Sequence, residues 1–436
     1  MRTMKRWSWV CLALAAALAH GQDVLTIDEA LASARENNGD VRSAFLSVRA
    51  AEQDVKSARA DFLPSVSANL SRSSGWQERY TGFNQGRTDF NSTNSSVSLD
   101  YRILDNGQRR YSFDRVLLSQ DVALLSARQT LRTTLFNVHQ RFYDALRSQE
   151  LFRVRNAQLK RSEELLKQAE ISADPAIGAI PRRDVLQARA DLLNSRASVL
   201  QAQNNVTNSL ANLKAVLGWS TGELPELDSQ TDPNRRPEER DLESLVNKAL
   251  ETRPDLVAQR KRVEQSQVAL RLTKLNVGVQ YSLNAQYTRT FNEDVSDRPQ
   301  LVFQASMPVY DGDSRRAEVR GSELSLEAQL ASLQQTERDV VAEVESAYKS
   351  YAQNGLILEA SQLALQAAQE NYDAASKSLQ LGAGDVIDVL TAQVTLVTAE
   401  TNFVQSLYDL LISEVRLDLA VGDPIPGEPV EESVGE

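Results

Sequence analysis

Apolar positions recur along this chain with two different periods. Ile27, Leu31, Ala34, Val41, Phe45, Val48 and Val55 fall at helical spacing and predict a helix over 25–60, opened by the acids of Thr26-Ile27-Asp28-Glu29 and ended before Pro64. The period then drops to two. Val66, Ala68 and Leu70 alternate with Ser65, Ser67, Asn69 and Ser71, which predicts a strand. A polar stretch from about Gly75 to Asn94 reads as a loop. A second strand follows, with Val97, Leu99, Tyr101 and Ile103 on one face, and Asp105-Asn106-Gly107 closes the hairpin region. From 108 to 173 no proline or glycine intervenes, and Leu131, Leu135, Val138, Phe142 and Ala145 step by four and three, the seam of a coiled coil. A helix of about 65 residues is about 100 Å long. After a turn, a further helix over 181–217 stops at Gly218.

The same order then recurs. A helix is expected over 241–274. Strands follow at Val279, Tyr281, Leu283, Ala285 and Tyr287 and at Leu301, Phe303, Ala305, Met307 and Val309, joined by a short loop over 291–298. A long helix covers 313–380 and a last one 385–421, before Gly422. Local echoes support the match: Leu104-Asp105-Asn106-Gly107-Gln108-Arg109-Arg110 resembles Tyr310-Asp311-Gly312-Asp313-Ser314-Arg315-Arg316, and Gly39-Asp40-Val41 resembles Pro254-Asp255-Leu256. Two turns are nearly the same sentence: IGAIPRRDVLQAR at 177–189 and LGAGDVIDVLTAQ at 381–393. They share Gly178 with Gly382, Ala179 with Ala383, and Asp184 with Asp388. A duplicated unit of helix, β-hairpin, long helix and helix follows, as 22–217 and 241–422, with a connector at 218–240. The two short helices of each unit are together about as long as its long one, so each unit would form a rod with the hairpin at one end and the Gly turn at the other.

Composition sharpens this picture at its ends. Aromatic residues make up only 6% of the chain and charged residues 25%, which suits long helices better than a thick core. Arg2, Lys5 and Arg6 precede a short apolar run from Trp7 to Ala19, so residues 1–21 read as a secretory signal cleaved before His20 or Gln22. The single cysteine, Cys11, belongs to that leader. The net charge is −11, three units more negative without the leader's cations, and no basic stripe remains to hold nucleic acid. The tail over 423–436, with three prolines and several acids, reads as disordered. No Cys/His cluster, nucleophile constellation or phosphate loop appears, so neither catalysis nor a cofactor is expected. Gly382-Ala383-Gly384 lacks a βαβ context.

No later segment reaches the length of a membrane helix, but an exported chain also enters a membrane as a β-barrel. The apolar strand faces, Val66, Leu70, Val97, Leu99, Tyr101, Tyr281, Leu283, Leu301, Phe303 and Val309, are core in a soluble sandwich and lipid-facing in a barrel. Strand pattern alone leaves both open. Four strands cannot close by themselves, so the barrel reading requires several copies; three give twelve strands.

On the opening LTIDEALASARENNGDV, the hairpins, the YDGDSRR segment and the paired turns, the chain resembles the TolC-type outer membrane factor family over about residues 25–422. That resemblance implies an α+β membrane protein: a homotrimer whose 12-stranded barrel in the outer membrane of a Gram-negative bacterium continues as a 12-helix coiled-coil tunnel in the periplasm. It implies a passive duct for small-molecule efflux or type I protein secretion, working with a periplasmic adaptor and an inner-membrane pump of the RND, ABC or MFS type. It places the periplasmic entrance at the two turns. Asp388 falls where each protomer's acid rings the constriction, with Asp184 and Asp385 nearby, and Gly178, Ala179, Gly382 and Ala383 fall where adaptor tips dock. Here the chain departs from the family: Leu379 and Gly384 replace a tyrosine and an arginine that tie the closed entrance, and Thr391 replaces a second ring acid. Arg182 or Arg183 is a candidate substitute. Each residue also has a plainer role, Asp184 as a helix-start residue with capping-box spacing to Gln187, the glycines as turn formers, His139 as a helix-surface or interface residue. The competing reading, a periplasmic coiled-coil adaptor without a pore, is disfavoured by the two matched hairpins.

Overall fold

The computed structural model describes residues 24–81, 84–173, 181–220, 224–229, 235–275, 278–291, 295–307 and 309–428. The leader at 1–21 lies outside them, as do Gly178 and Ala179. The elements are α1 (Ile27–Asn37), α2 (Gly39–Ala60), β1 (Ser65–Thr81), β2 (Asn84–Leu104), α3 (Gln108–Ser172), α4 (Arg182–Leu217), α5 (Leu242–Thr252), α6 (Pro254–Leu275), β3 (Gln280–Phe291), β4 (Val295–Ser306), α7 (Ser314–Gln380) and α8 (Val386–Val421). Helix lengths run 11, 22, 65 and 36 residues, then 11, 22, 67 and 36.

The chain forms two compact units. One gathers residues 43–129 and 253–339, the other residues 24–42, 130–252 and 340–428. The first holds an antiparallel sheet in the order β1-β2-β3-β4. Its register lines up Val66, Leu99, Ala285 and Leu301 in one row, and Tyr101, Leu283 and Phe303 in the next. The rings of Tyr281 and Phe303 stack at 5.9 Å on the same face. The opposite face carries Ser67, Ser98, Gln286 and Gln300 in register, with Ser67 and Ser98 hydroxyls 2.7 Å apart. Val309 lies beyond the end of β4 and is exposed, so it is not one of the strand positions.

Both expected hairpin loops are largely strand. β1 and β2 pair continuously to Thr81 and Asn84, through the polar stretch, and β3 and β4 pair to Phe291 and Val295. The physical reason is that period-two patterning marks a strand only where its two faces meet different surroundings. From Ser71 to Asn94 polar residues dominate both faces, with only isolated aromatics such as Trp76 and Phe90, and backbone pairing continues without an alternating signal. A tilted strand needs only about 9–11 residues to span a barrel wall, and β1 and β2, at 17 and 21 residues, reach past that length.

The duplicated sequence folds into duplicated local structure. After β2, Asp105 is followed by Asn106 and Gly107 at φ 54 and 87. After β4, Asp311 is followed by Gly312 and Asp313 at φ 66 and 65. In both, the Asp carboxylate accepts from the Arg four residues on, through backbone N–H at 3.1 and 3.2 Å and through Nε. Burial raises the Asp105 pKa, but the Arg109 bonds and charge outweigh it and hold the carboxyl below its usual range. The C-terminal ends of α4 and α8 match as well. α4 and α8 stop at Gly218 and Gly422, both left-handed, and the following N–H groups return to Lys214 and Asp418 carbonyls.

The helices expected over 25–60 and 241–274 are each two. Asn38 takes an extended conformation, caps α2 by accepting from Asp40 and Val41 N–H, and donates to the Val216 carbonyl at 2.9 Å. At the matching break Pro254 starts α6, which forces the preceding Arg253 out of helix. Arg253 then grips Asp255 through two bonds of 3.0 and 2.6 Å.

The core of the second unit lies between α3, α4, α5, α7 and α8. The α3 seam residues Leu131, Leu135, Val138, Phe142 and Ala145 are all buried, as are Val344 and Leu358 of α7 and Leu407, Leu410 and Leu417 of α8. The connector packs on this core: Pro237 sits on Gly355, Glu238 N–H donates to the Tyr351 hydroxyl at 2.9 Å, and Arg240 bonds Asp418 at 2.7 Å. The tail differs from expectation up to 428. Ile425 is buried, Asp423 pairs with Lys248 and accepts from Arg132, and Arg132 pairs with Glu428 at 3.4 Å. One apolar residue, two ion pairs and a hydrogen bond from Arg132 to the Asp423 backbone carbonyl order a segment whose composition is that of a disordered tail. His139, expected at a helix surface or an interface, is only 3% exposed.

Candidate functional site

Of the two matched turns, the described one, which joins α7 to α8, belongs to the second unit. α7 ends in a Schellman motif, with Ala383 N–H donating to the Ser378 carbonyl at 2.9 Å, Gly382 N–H to Leu379 at 3.0 Å, and Gly382 at φ +75. A Cβ on Gly382 would meet nothing within 4 Å, so its surroundings are open and only its backbone requires glycine. Gly384 is the opposite case: a Cβ there would lie 2.9 Å from the Leu379 backbone nitrogen. The tight return of the chain, rather than a side chain reaching outward, occupies that position.

The candidate acids separate. Asp385 is the N-cap of α8 and accepts from Ile387 N–H at 3.2 Å. Asp388 lies in the first turn of α8, exposed to solvent. Asp184 is only 2% exposed and its carboxylate accepts from Arg183 Nε at 3.1 Å. It is not the α4 cap either, since that position is Pro181 and Asp184 lies inside the helix. Asp184 is therefore an internal, paired acid, and Asp388 and Asp385 are the acids that face solvent. Arg182 is exposed, and Arg183 is engaged with Asp184.

Beneath the turns, Leu165, Ala169, Ala188, Val386, Val389 and Leu390 form one apolar cluster, with Val185, Tyr372 and Leu379 packed against it. It holds the ends of α3 and α7 to the starts of α4 and α8. Leu379 contributes packing where a tyrosine would contribute a bond. The polar ties sit farther from the turns. Arg161 of α3 makes two bonds to Glu400 of α8 at 3.0 and 2.8 Å, and its guanidinium lies 5.8 Å from the Tyr372 ring centre. Ser162, Asp191, Ser195 and Gln393 form a buried network joining α3, α4 and α8. Sequence reasoning missed both groups. Arg161 and Glu400 are 239 positions apart, and neither stands out from its helix's ordinary charges. Among the described residues there is no group of His, Cys, Asp and Glu that could hold a metal ion, and no helix long and apolar enough to cross a membrane.

A sheet with one apolar face and two open edges, joined in one exported-type chain to long coiled-coil helices, defines the class of outer-membrane channel subunits. Comparisons with known proteins agree. The chain is 23% identical over 410 residues to the outer membrane protein TolC of Escherichia coli K12, covering 89% of this chain and 80% of that one. It is 26% identical over 441 residues to the protein CyaE of Bordetella pertussis, covering 98% and 90%. The fold matches the Campylobacter jejuni CmeC outer membrane channel with a TM-score of 0.80 at 16% identity, over 91% of this chain and 85% of that one. It matches the transmembrane channel CusC with a TM-score of 0.79 at 17% identity, over 91% and 92%. A sequence model of the outer membrane efflux protein family matches residues 30–219 and 245–423, and the chain belongs to that family.

Proposed function

We propose that three copies of this chain close a 12-stranded barrel and a 12-helix tunnel, and that the assembly is a passive duct that an inner-membrane pump fills through a periplasmic adaptor. The observation that carries this reading is the sheet. Among the described residues its edge strands β1 and β4 have no further partner, and its rows keep apolar residues on one face and Ser, Asn and Gln on the other. An edge cannot be left unpaired in lipid, so the sheet must be completed by copies. The polar face then lines water. Entrance control falls to Asp388 and Asp385, with Arg182 as the candidate cation; all three are exposed. Gly178, Ala179, Gly382 and Ala383 are the positions for adaptor tips, and the open space around Gly382 favours this. Small-molecule efflux and type I protein secretion both fit such a duct, and the pump class is set by the partner. No catalytic role is assigned. The test is purified mature protein in detergent and in planar bilayers. A heat-resistant trimer with stable conductance is expected; a soluble monomer without conductance overturns the reading. A tryptophan at Gly382 should abolish export while trimers persist, and loss of the trimers themselves would remove the docking assignment.

A further inference from the structure

The apolar band of the sheet continues to the strand ends and past them. Leu104, opposite Tyr281 at the end of β2, is 52% exposed. Beyond β4, Met307, Val309 and Tyr310 are 55–88% exposed. The two matched Asp turns follow directly. Each is followed by two consecutive arginines in the first turn of a long helix, Arg109 and Arg110 on α3, Arg315 and Arg316 on α7. The turn itself uses the first of each pair: Arg109 bonds Asp105, and Arg315 bonds Asp311. It does not use the second. Arg110 is exposed and has no ion-pair partner among the described residues. Arg316 is 86% exposed beside an Asp313 that is 70% exposed, so water screens that pair. Neither arginine supports its helix, because a cation in the first turn opposes the helix dipole.

Charge is also uneven along the sheet. The ten residues beyond each strand on the helix side, 55–64, 105–114, 270–279 and 307–316, hold eight Lys and Arg against five Asp and Glu. The far ends of the two hairpins, 71–94 and 289–298, hold five of each. The whole chain has 48 against 59. A positive collar therefore borders one end of the apolar band, in a chain that is otherwise acidic.

We propose that this collar binds the phosphate groups of anionic phospholipids in the leaflet from which the long helices emerge, with Arg110 and Arg316 as the contact residues. The inference rests on the duct reading, which puts the apolar face in lipid. Continuity and charge select the occupant. Apolar side chains give way to arginines where acyl chains give way to headgroups. Helical side chains lean towards the start of their helix, so both arginines lean back towards the sheet. An arginine can lay its stem along apolar surface and keep its head in the charged layer. Its planar fork matches two phosphate oxygens. One such cation near an anionic leaflet is worth about five-fold in association.

The test is quenching by brominated lipid. The mature chain carrying Leu104→Trp and Trp76→Phe is reconstituted in phosphatidylcholine bilayers. A minor fraction of the lipid is brominated, as phosphatidylglycerol in one sample and phosphatidylcholine in the other. Leu104 lies on β2, inside the sheet rather than at an edge. Phosphatidylglycerol should associate with the new tryptophan about five-fold more strongly. That preference should vanish in Arg110→Gln/Arg316→Gln, while quenching by both lipids still shows insertion. Equal quenching by the two lipids in the parent, or a preference that survives the double Gln variant, overturns the proposal. So does its complete loss on adding inorganic phosphate at constant ionic strength, which would mark a site for free anions. If neither lipid quenches the tryptophan, the sheet is not in lipid and the duct reading itself fails.

Discussion

Replacing the two matched acids one at a time separates a lining charge from a structural one. Asp388 is exposed in the first turn of α8, and Asp184 is 2% exposed and bonded to Arg183. In a trimer, three Asp388 carboxylates at about 6 Å from a permeating ion give about 2 kcal/mol of attraction at the dielectric of water. Physiological salt, with a Debye length of about 8 Å, halves this to about 1 kcal/mol. That corresponds to roughly five-fold cation enrichment at the constriction. The same charges deplete anions by a like factor, so Asp388→Asn should lower the cation-to-anion permeability ratio by roughly 25-fold, read from reversal potentials across a salt gradient in planar bilayers. Asp184→Asn should leave that ratio unchanged and instead lower stability by about 1–3 kcal/mol, the usual cost of losing a charged hydrogen bond to a buried group. If Asp184→Asn shifts the reversal potential as far as Asp388→Asn, the separation of the two acids by burial is wrong.

Three further outcomes follow from particular contacts. Arg161 and Glu400 join α3 to α8 through two parallel bonds in a partly buried site, so a double-mutant cycle with Arg161→Met and Glu400→Gln in guanidinium unfolding should give about 1–2 kcal/mol of coupling, above the ~0.5 kcal/mol of exposed pairs; coupling near zero would make the pair incidental. Two glycines of α7 should respond in opposite directions to alanine. At Gly355 a Cβ would lie 2.4 Å from Pro237 Cγ, and the variant should lose about 1–2 kcal/mol, whereas at Gly321 nothing lies within 4 Å and alanine should add about 1 kcal/mol, both read from melting temperature. His139 is the source of a pH dependence. Burial drives its pKa from 6.5 to about 4, against weaker opposing effects of the Pro426 backbone and the Asp28 carboxylate. The unfolded chain then binds the extra proton between pH 6.5 and 4, so stability is full above about 6.5 and falls by up to about 3 kcal/mol as pH drops towards 4. His139→Leu should flatten that slope in melts from pH 7.5 to 4.5, and equal slopes in both proteins would exclude His139 as its origin.

What the sequence disclosed about this fold depended on where a residue's two sides differ. The α3 seam was readable because Leu135 and Val138 face a core while their neighbours face water. The strand segments around Val66, Val97, Leu283 and Leu301 were readable for the same reason. Where both sides are alike the signal vanished, and the paired continuation of β1 and β2 through Ser73 and Ser92 looked like loop. Helix breaks were half visible. Pro254 and Gly39 mark them, but the apolar period runs across both, because each pair of helices keeps one buried side. The ties between helices were not readable at all. Arg161 with Glu400, and Ser162 with Gln393, are ordinary residues in their own helices and acquire meaning only from partners more than 200 positions away.

The two entrance turns show how far a sequence echo reaches. Asp184 and Asp388 occupy the same place in matched motifs, which suggests one role. The phase of the apolar residues that follow says otherwise. On α4 the buried stripe is Ala188, Leu192 and Ser195, and Asp184 lies four residues before Ala188, on that stripe. On α8 the buried residues are Val386, Val389, Leu390 and Gln393, and Asp388 lies between them on the solvent side. The same Asp-Val-Leu is thus rotated differently by the helix that carries it. Duplication preserved the helix lengths and the Asp–Arg pairs at the sheet, where backbone geometry dictates the residues. It did not preserve which side of the helix faces the core: Asp184 is buried on α4, while Asp388 is exposed on α8.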